Sequence, residues 1–102
     1  MKLSEHAKKR MRERSGLNVK SLDRTAEIAF QDGLRHGDCT GRLKKYVDCL
    51  FLSHHTGNNI RVYGDNVYIF NGTTLITLLK LPNKFKNAVN KKMKQRNSNS
   101  AI

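Results

Sequence analysis

Long apolar runs are missing from this 102-residue sequence. No stretch approaches the ~18 consecutive apolar residues of a membrane span, and the charged start lacks the apolar centre of a secretory leader. Neither a span nor export is expected, which points to the cytoplasm. Cysteine is scarce as well: Cys39 and Cys49 are too few and too irregularly spaced for a disulfide framework, so reduced thiols are expected. Acid is outnumbered by base, with 8 Asp and Glu against 20 Lys and Arg, a net charge of +12. Apolar residues make up 37% of the chain, enough for one modest core. A single α+β domain over residues 1–82 is expected, followed by a basic, partly disordered extension over 83–102.

The positive charge is concentrated at the two ends. Residues 1–14 carry six basic side chains against Glu5 and Glu13, and residues 83–102 carry six and no acid, which leaves only +2 for the middle of the chain. Lysine and arginine that neutralise phosphates release condensed counterions, so such clusters bind nucleic acid without reading its sequence. Lys8, Lys9, Lys84, Lys86, Lys91 and Lys92 are the candidate nucleic-acid contacts, with RNA the expected partner. The alternative is a self-repelling solvated surface ending in a disordered tail.

Three helical segments precede three strands. Ser4 suits the N-cap of a helix running to about Ser15, with Glu5 in its first turn and Gly16 beyond its end. Leu22, Ala26, Ala29 and Phe30 recur at helical spacing in a second helix that begins near Ser21 and stops at Gly33. Gly33 to Gly41 reads as a loop. Leu43, Tyr46, Val47, Leu50 and Phe51 then follow the i, i+3, i+4, i+7, i+8 pattern of an amphipathic helix, with Cys49 read as a small core residue. Asn59–Tyr63 and Val67–Phe70 are rich in β-branched and aromatic residues around Gly64-Asp65-Asn66, and Asn71-Gly72 is a strong hairpin signal leading into Thr73–Leu81, ended by Pro82. The expected architecture is N-terminal helices packed on a small antiparallel sheet, a three-stranded meander. Alternation puts Val67 and Ile69 on one face and Tyr68 and Phe70 on the other, and in the last strand sets Leu75, Thr77 and Leu79 against Thr74, Ile76 and Leu78.

In the first helix, His6, Arg10 and Arg14 are four residues apart and therefore stack along one face, beside an apolar stripe of Ala7 and Met11. Histidine titrates near neutrality and can exchange a proton with a sugar hydroxyl, while arginine forks fit phosphate oxygens. Metal-free RNA cleavage needs a group to activate the 2′-OH, cations to hold charge on the pentavalent phosphate and a proton donor for the leaving oxygen. The same spacing also suits a purely phosphate-binding or solvated face.

The run Leu3-Ser4-Glu5-His6-Ala7-x-x-Arg10-Met11-x-x-Arg14, a helix ending in Asp32-Gly33, then a hairpin with Val67-Tyr68-Ile69-Phe70 and Leu75-Ile76-Thr77-Leu78-Leu79, resembles the small nucleases of the barnase, EndoU, colicin and RelE superfamily. It is most similar to their compact phage and toxin-type members. The resemblance covers residues 3–81 in outline, and its specific part is the first dozen residues with the Thr77 strand. It implies helices packed on an antiparallel sheet with RNA in the cleft, His6 as acid–base group, Arg10 and Arg14 as phosphate ligands, Thr77 as a site hydroxyl, and no requirement for a metal or other cofactor.

Other readings stay open. His54 and His55 can supply a second proton-transfer group or cap the third helix. His36, Cys39, Cys49, His54 and His55 are zinc-ligand types at spacings that match no recognised ligand pair. Tyr63 and Tyr68 can stack on bases or pack within the sheet. For the whole chain, the alternative to a metal-independent endoribonuclease is a non-catalytic nucleic-acid- or ribonucleoprotein-binding protein, such as a phage-encoded inhibitor.

Overall fold

The computed structural model describes residues 2–15, 19–53 and 57–100, without the side chains of 14, 15, 19, 20 and 96–100. Its chain order is β1 (Lys2–Leu3), α1 (Glu5–Ser15), α2 (Val19–Asp32), β2 (Leu34–Arg35), a 3-10 turn (His36–Asp38), α3 (Gly41–Ser53), β3 (Asn59–Tyr63), β4 (Asn66–Asn71), β5 (Thr74–Lys80) and α4 (Asn83–Ser100). The strands form one sheet in the order β1-β5-β4-β3-β2. Among the described residues only β1 runs parallel to its neighbour, pairing Lys2 with Thr74 and Leu3 with Leu75.

The meander β3-β4-β5 is the centre of a larger sheet, which corrects the three-stranded expectation. β1 and β2 each contribute two residues at an edge, too few to show a period in the sequence. The helices are not all N-terminal either, since α4 follows the last strand.

Alternation along β4 divides the molecule into two cores. Tyr68 and Phe70 face Ala7 and Met11 of α1 and Leu22, Ala26 and Ala29 of α2. Val67 and Ile69 point the other way, into a core with Leu43, Val47 and Leu50 of α3 and Phe85 and Val89 of α4. The sheet is thus sandwiched between two helical layers, with α1 and α4 on opposite faces. Tyr68 is only 3% exposed and Tyr63 packs half-buried against the α1–α2 core, so both serve the sheet's packing.

Both hairpins turn on glycine, though not in the way the sequence suggested at the second. Tyr63 pairs with Asn66, which leaves Gly64-Asp65 as the loop, with Gly64 at φ +59°. Asn71 pairs with Thr74, so the second loop is Gly72-Thr73, with Gly72 at φ +61°. Positive φ at the first central residue alone is the type II′ pattern; Asn71 is a strand residue rather than half of an Asn-Gly turn. Asn58 and Asn59 brace this turn, the first accepting from the Gly72 N–H at 2.8 Å and the second donating to its carbonyl at 3.1 Å.

Gly33 ends α2 for a reason of space. A Cβ there would lie 2.5 Å from the Ala29 carbonyl oxygen and 3.0 Å from the Arg61 Cβ. Arg61 in β3 is the buried cation at this junction. Its Nε donates to the Phe30 carbonyl at 3.0 Å, its Nη1 to the Ile60 carbonyl at 3.2 Å, and its guanidinium lies 4.8 Å from the Phe30 ring centre. Burial lowers its affinity for the proton, and Arg35, its partner across the β2–β3 ladder, adds to that.

The core cysteine is Cys39 rather than Cys49. Cys39 is buried in the α3–α4 core, donating weakly to the Arg35 carbonyl, whereas Cys49 is exposed on α3. The apolar face of α3 is defined by Leu43, Val47 and Leu50, and a residue six positions after Leu43 lies about 240° round the helix, away from it. Among the described residues, no helix is long and apolar enough to cross a membrane.

Candidate active site

The first turn of α1 is fixed to β5 by backbone and side chain together. The Ser4 N–H donates to the Leu75 carbonyl at 2.9 Å and its hydroxyl donates to the Ile76 carbonyl at 3.0 Å. The same hydroxyl accepts from the Ala7 N–H at 3.0 Å, the N-cap bond expected of serine there. Ser4 thereby caps the helix and pins it to the strand, and Ala7 and Met11 complete the attachment by burial.

In the first turn of this anchored helix, the His6 Nε2 lies 3.1 Å from the Thr77 Oγ1. Strict alternation along β5 would set Leu75 and Thr77 on one face and Leu78 on the other. The β4–β5 ladder instead shifts register: Ile69 pairs with Thr77 but Phe70 with Leu75, leaving Ile76 as an extra residue. Leu75 and Leu78, three apart, consequently share the α1–α2 core. The bulge bends β5 where the N-terminus of α1 crosses it, in keeping with the habit of bulges to re-aim side chains. Thr77 is 8% exposed, while the His6 ring is open to solvent. The buried hydroxyl orients the ring through Nε2 while the residue stays exposed.

Arg10 follows one turn further along the same face, its guanidinium 3.7 Å from Glu13 and its side chain 37% exposed. So exposed an ion pair is weak and leaves the fork free to exchange Glu13 for a phosphate. The Arg14 side chain lies outside the described residues. Lys8 pairs with Glu5 at 3.3 Å, and Lys9 is exposed.

The remaining candidates lie elsewhere. Lys84, Lys86, Lys91 and Lys92 belong to α4, across the sheet from His6. The basic ends therefore form two surfaces rather than one continuous patch. Lys86 pairs with Asp65 at 3.6 Å, and Lys84 lies 5.2 Å from the centre of the Phe85 ring.

His54 and His55 lie outside the described residues, and among those residues no three His, Cys, Asp or Glu side chains converge as a metal site would require. His36 has a different partner: its Nε2 meets the Asp48 carboxylate of α3, and its ring lies edge-on to Phe51, 5.2 Å away. The pair lines an open cavity of about 480 Å3 with Phe51 and Leu52, the latter 74% exposed. Sequence reasoning gave no sign of it, since twelve residues separate the two and no local period relates them. Cys39 is a poor nucleophile: burial, assisted by Asp38, pushes its thiol up to about 11.

No protein-family model matches the chain, and no curated protein or solved structure does so either.

Proposed function

We propose that this protein is a metal-independent endoribonuclease of the barnase, EndoU, colicin and RelE kind, acting on RNA at the first turn of α1. The observation that carries the proposal is the His6–Thr77 pair, an acid–base side chain oriented by a buried hydroxyl on a rigid strand. In the reaction envisaged, the imidazole of His6 takes the proton of a ribose 2′-OH. The 2′-oxygen attacks the adjacent phosphorus and the bond from phosphorus to the 5′-oxygen breaks. The imidazolium formed in the first step then returns its proton to the departing 5′-oxygen, leaving a 2′,3′-cyclic phosphate and a 5′-hydroxyl. Arg10, with Arg14 at the next position of the same helix period, stabilises the charge on the pentavalent phosphate. Each of these groups belongs to the protein, and none of the steps calls for a cofactor.

A second reading is a non-catalytic protein that binds RNA or a ribonucleoprotein, as a phage-encoded inhibitor would. It is favoured by the placing of basic residues on both faces of the sheet, which suits holding a polyanion at least as well as cutting one.

The two part in a cleavage assay on mixed cellular RNA with EDTA present, run beside a binding titration, for wild-type and His6→Ala protein. EDTA-resistant cleavage that disappears in the variant while binding persists is the result expected of the nuclease. Tight, salt-sensitive binding without cleavage by either protein establishes the binding reading instead.

A further inference from the structure

The face of the sheet opposite His6 has a cleft of its own. Arg42, Lys45, Tyr46 and Cys49 follow one another at i, i+3, i+4 and i+7 along α3, and Lys84 and Phe85 open α4. Together these six residues line an open cavity of about 310 Å3. Its floor is aromatic. Phe85 is only 7% exposed and stacks on the half-buried Tyr46, the ring centres 4.9 Å apart and the planes at 28°. Its walls are cationic: three basic side chains and no carboxylate. Lys8, Arg10 and Lys86 each have an acidic partner, whereas among the described residues none lies within ion-pair distance of Arg42, Lys45 or Lys84.

A simple anion has no use for the aromatic floor, and an apolar ligand gains nothing from three cations. A ligand that satisfies both carries a phosphate next to a flat ring. We propose that this cleft seats one nucleotide of single-stranded RNA, its phosphate among Arg42, Lys45 and Lys84 and its base against Tyr46. A duplex keeps its bases in the stack, so only an unpaired strand can offer one. The proposal rests on RNA being the ligand of the protein, but not on cleavage: the cleft lies across the sheet from His6 and would hold the strand rather than react with it.

Cys49 gives a direct readout. It is exposed on the cleft wall, while Cys39 is buried with its thiol raised to about 11, so a thiol alkylating reagent at neutral pH modifies Cys49 in the folded protein. Its alkylation rate is measured in wild-type and His6→Ala protein with a single-stranded oligoribonucleotide, with the corresponding duplex, and with inorganic polyphosphate. The expected result is severalfold protection by the single strand in both proteins, little by the duplex or polyphosphate, and none in an Arg42→Ala/Lys84→Ala variant. That variant should also show a salt slope shallower by about 0.7, the contribution of the one phosphate seated here on a single strand. An unchanged rate with the single strand, or equal protection by polyphosphate, overturns the proposal. Cleavage without protection of Cys49 removes this site alone, and protection without cleavage removes the nuclease reading alone.

Discussion

His6 meets Thr77 across 71 positions of chain at a place where β5 carries one residue too many for its partner. The bulge at Ile76 and the anchoring of Ser4 to the Leu75 and Ile76 peptides occupy the same two residues of β5, so the irregularity of the strand and the docking of the helix are one arrangement. Thr77→Val keeps the shape of the side chain and removes the hydroxyl. RNA cleavage should fall by an order of magnitude or more while stability changes by no more than about 1 kcal/mol, the usual worth of one hydrogen bond. His6→Ala should abolish cleavage while costing no more than about 1 kcal/mol of stability, because the residue is exposed and one hydrogen bond is lost. Thermal unfolding measured beside single-turnover cleavage checks both; equal losses of stability and activity would mean a structural role for the pair.

Gly33→Ala should be among the most destabilising single changes. Its methyl would meet the Ala29 carbonyl oxygen at 2.5 Å, a backbone atom of α2 that cannot rotate away, so the end of the helix must shift. A loss of roughly 2–3 kcal/mol in urea unfolding is expected, in the range of overpacked sites.

Arg61→Leu tests the other half of that junction. The substitution relieves repulsion with Arg35 but leaves the Phe30 carbonyl without its 3.0 Å donor and the Phe30 ring without its cation. The missing donor dominates, and a net destabilisation of about 1–3 kcal/mol follows, measurable by the same unfolding titration.

Cys39 makes stability sensitive to alkali. Its thiol is raised from 9.0 to about 11 in the folded state, so the contribution is complete below pH 9 and is lost as pH rises through 11, where the unfolded chain has long given up its proton. The loss is bounded at about 3 kcal/mol, at roughly 1.4 kcal/mol for each pH unit between 9.0 and 11. Comparing wild-type and Cys39→Val protein isolates it: their stability difference should drift in favour of the variant between those two pH values, and a constant difference would contradict it.

Much of the fold was legible because local chemistry and tertiary packing agree. Ser4 caps α1, the 43-46-47-50-51 stripe of α3 packs inward, and the bounds of β3 follow its β-branched and aromatic residues. The bulge was not legible. Leu75-Ile76-Thr77-Leu78-Leu79 is apolar on both faces, so an inserted residue disturbs no visible alternation. β1 and β2 are too short to have a period, and their pairing is decided by long-range interactions alone. For the site, the sequence offered the helical row of His6 and Arg10 and, through a family resemblance, Thr77; the 3.1 Å contact of His6 with Thr77 joins residues 71 apart, which no local period relates. Cys49 is apolar by type yet lies on the outer side of α3, so its residue type misleads where its angular position does not.

The two-residue pairing of β1 with β5 also bears on the order in which the molecule assembles. β3, β4 and β5 are joined by tight turns and close over short loops, whereas the attachment of Lys2 and Leu3 to Thr74 and Leu75 must close a loop of more than 70 residues. The hairpins are therefore the natural early unit, and α1 docks onto a sheet already formed. The first turn of α1 is tied to the sheet only at its edge, so it should exchange its amide hydrogens faster than the central strand β4 does.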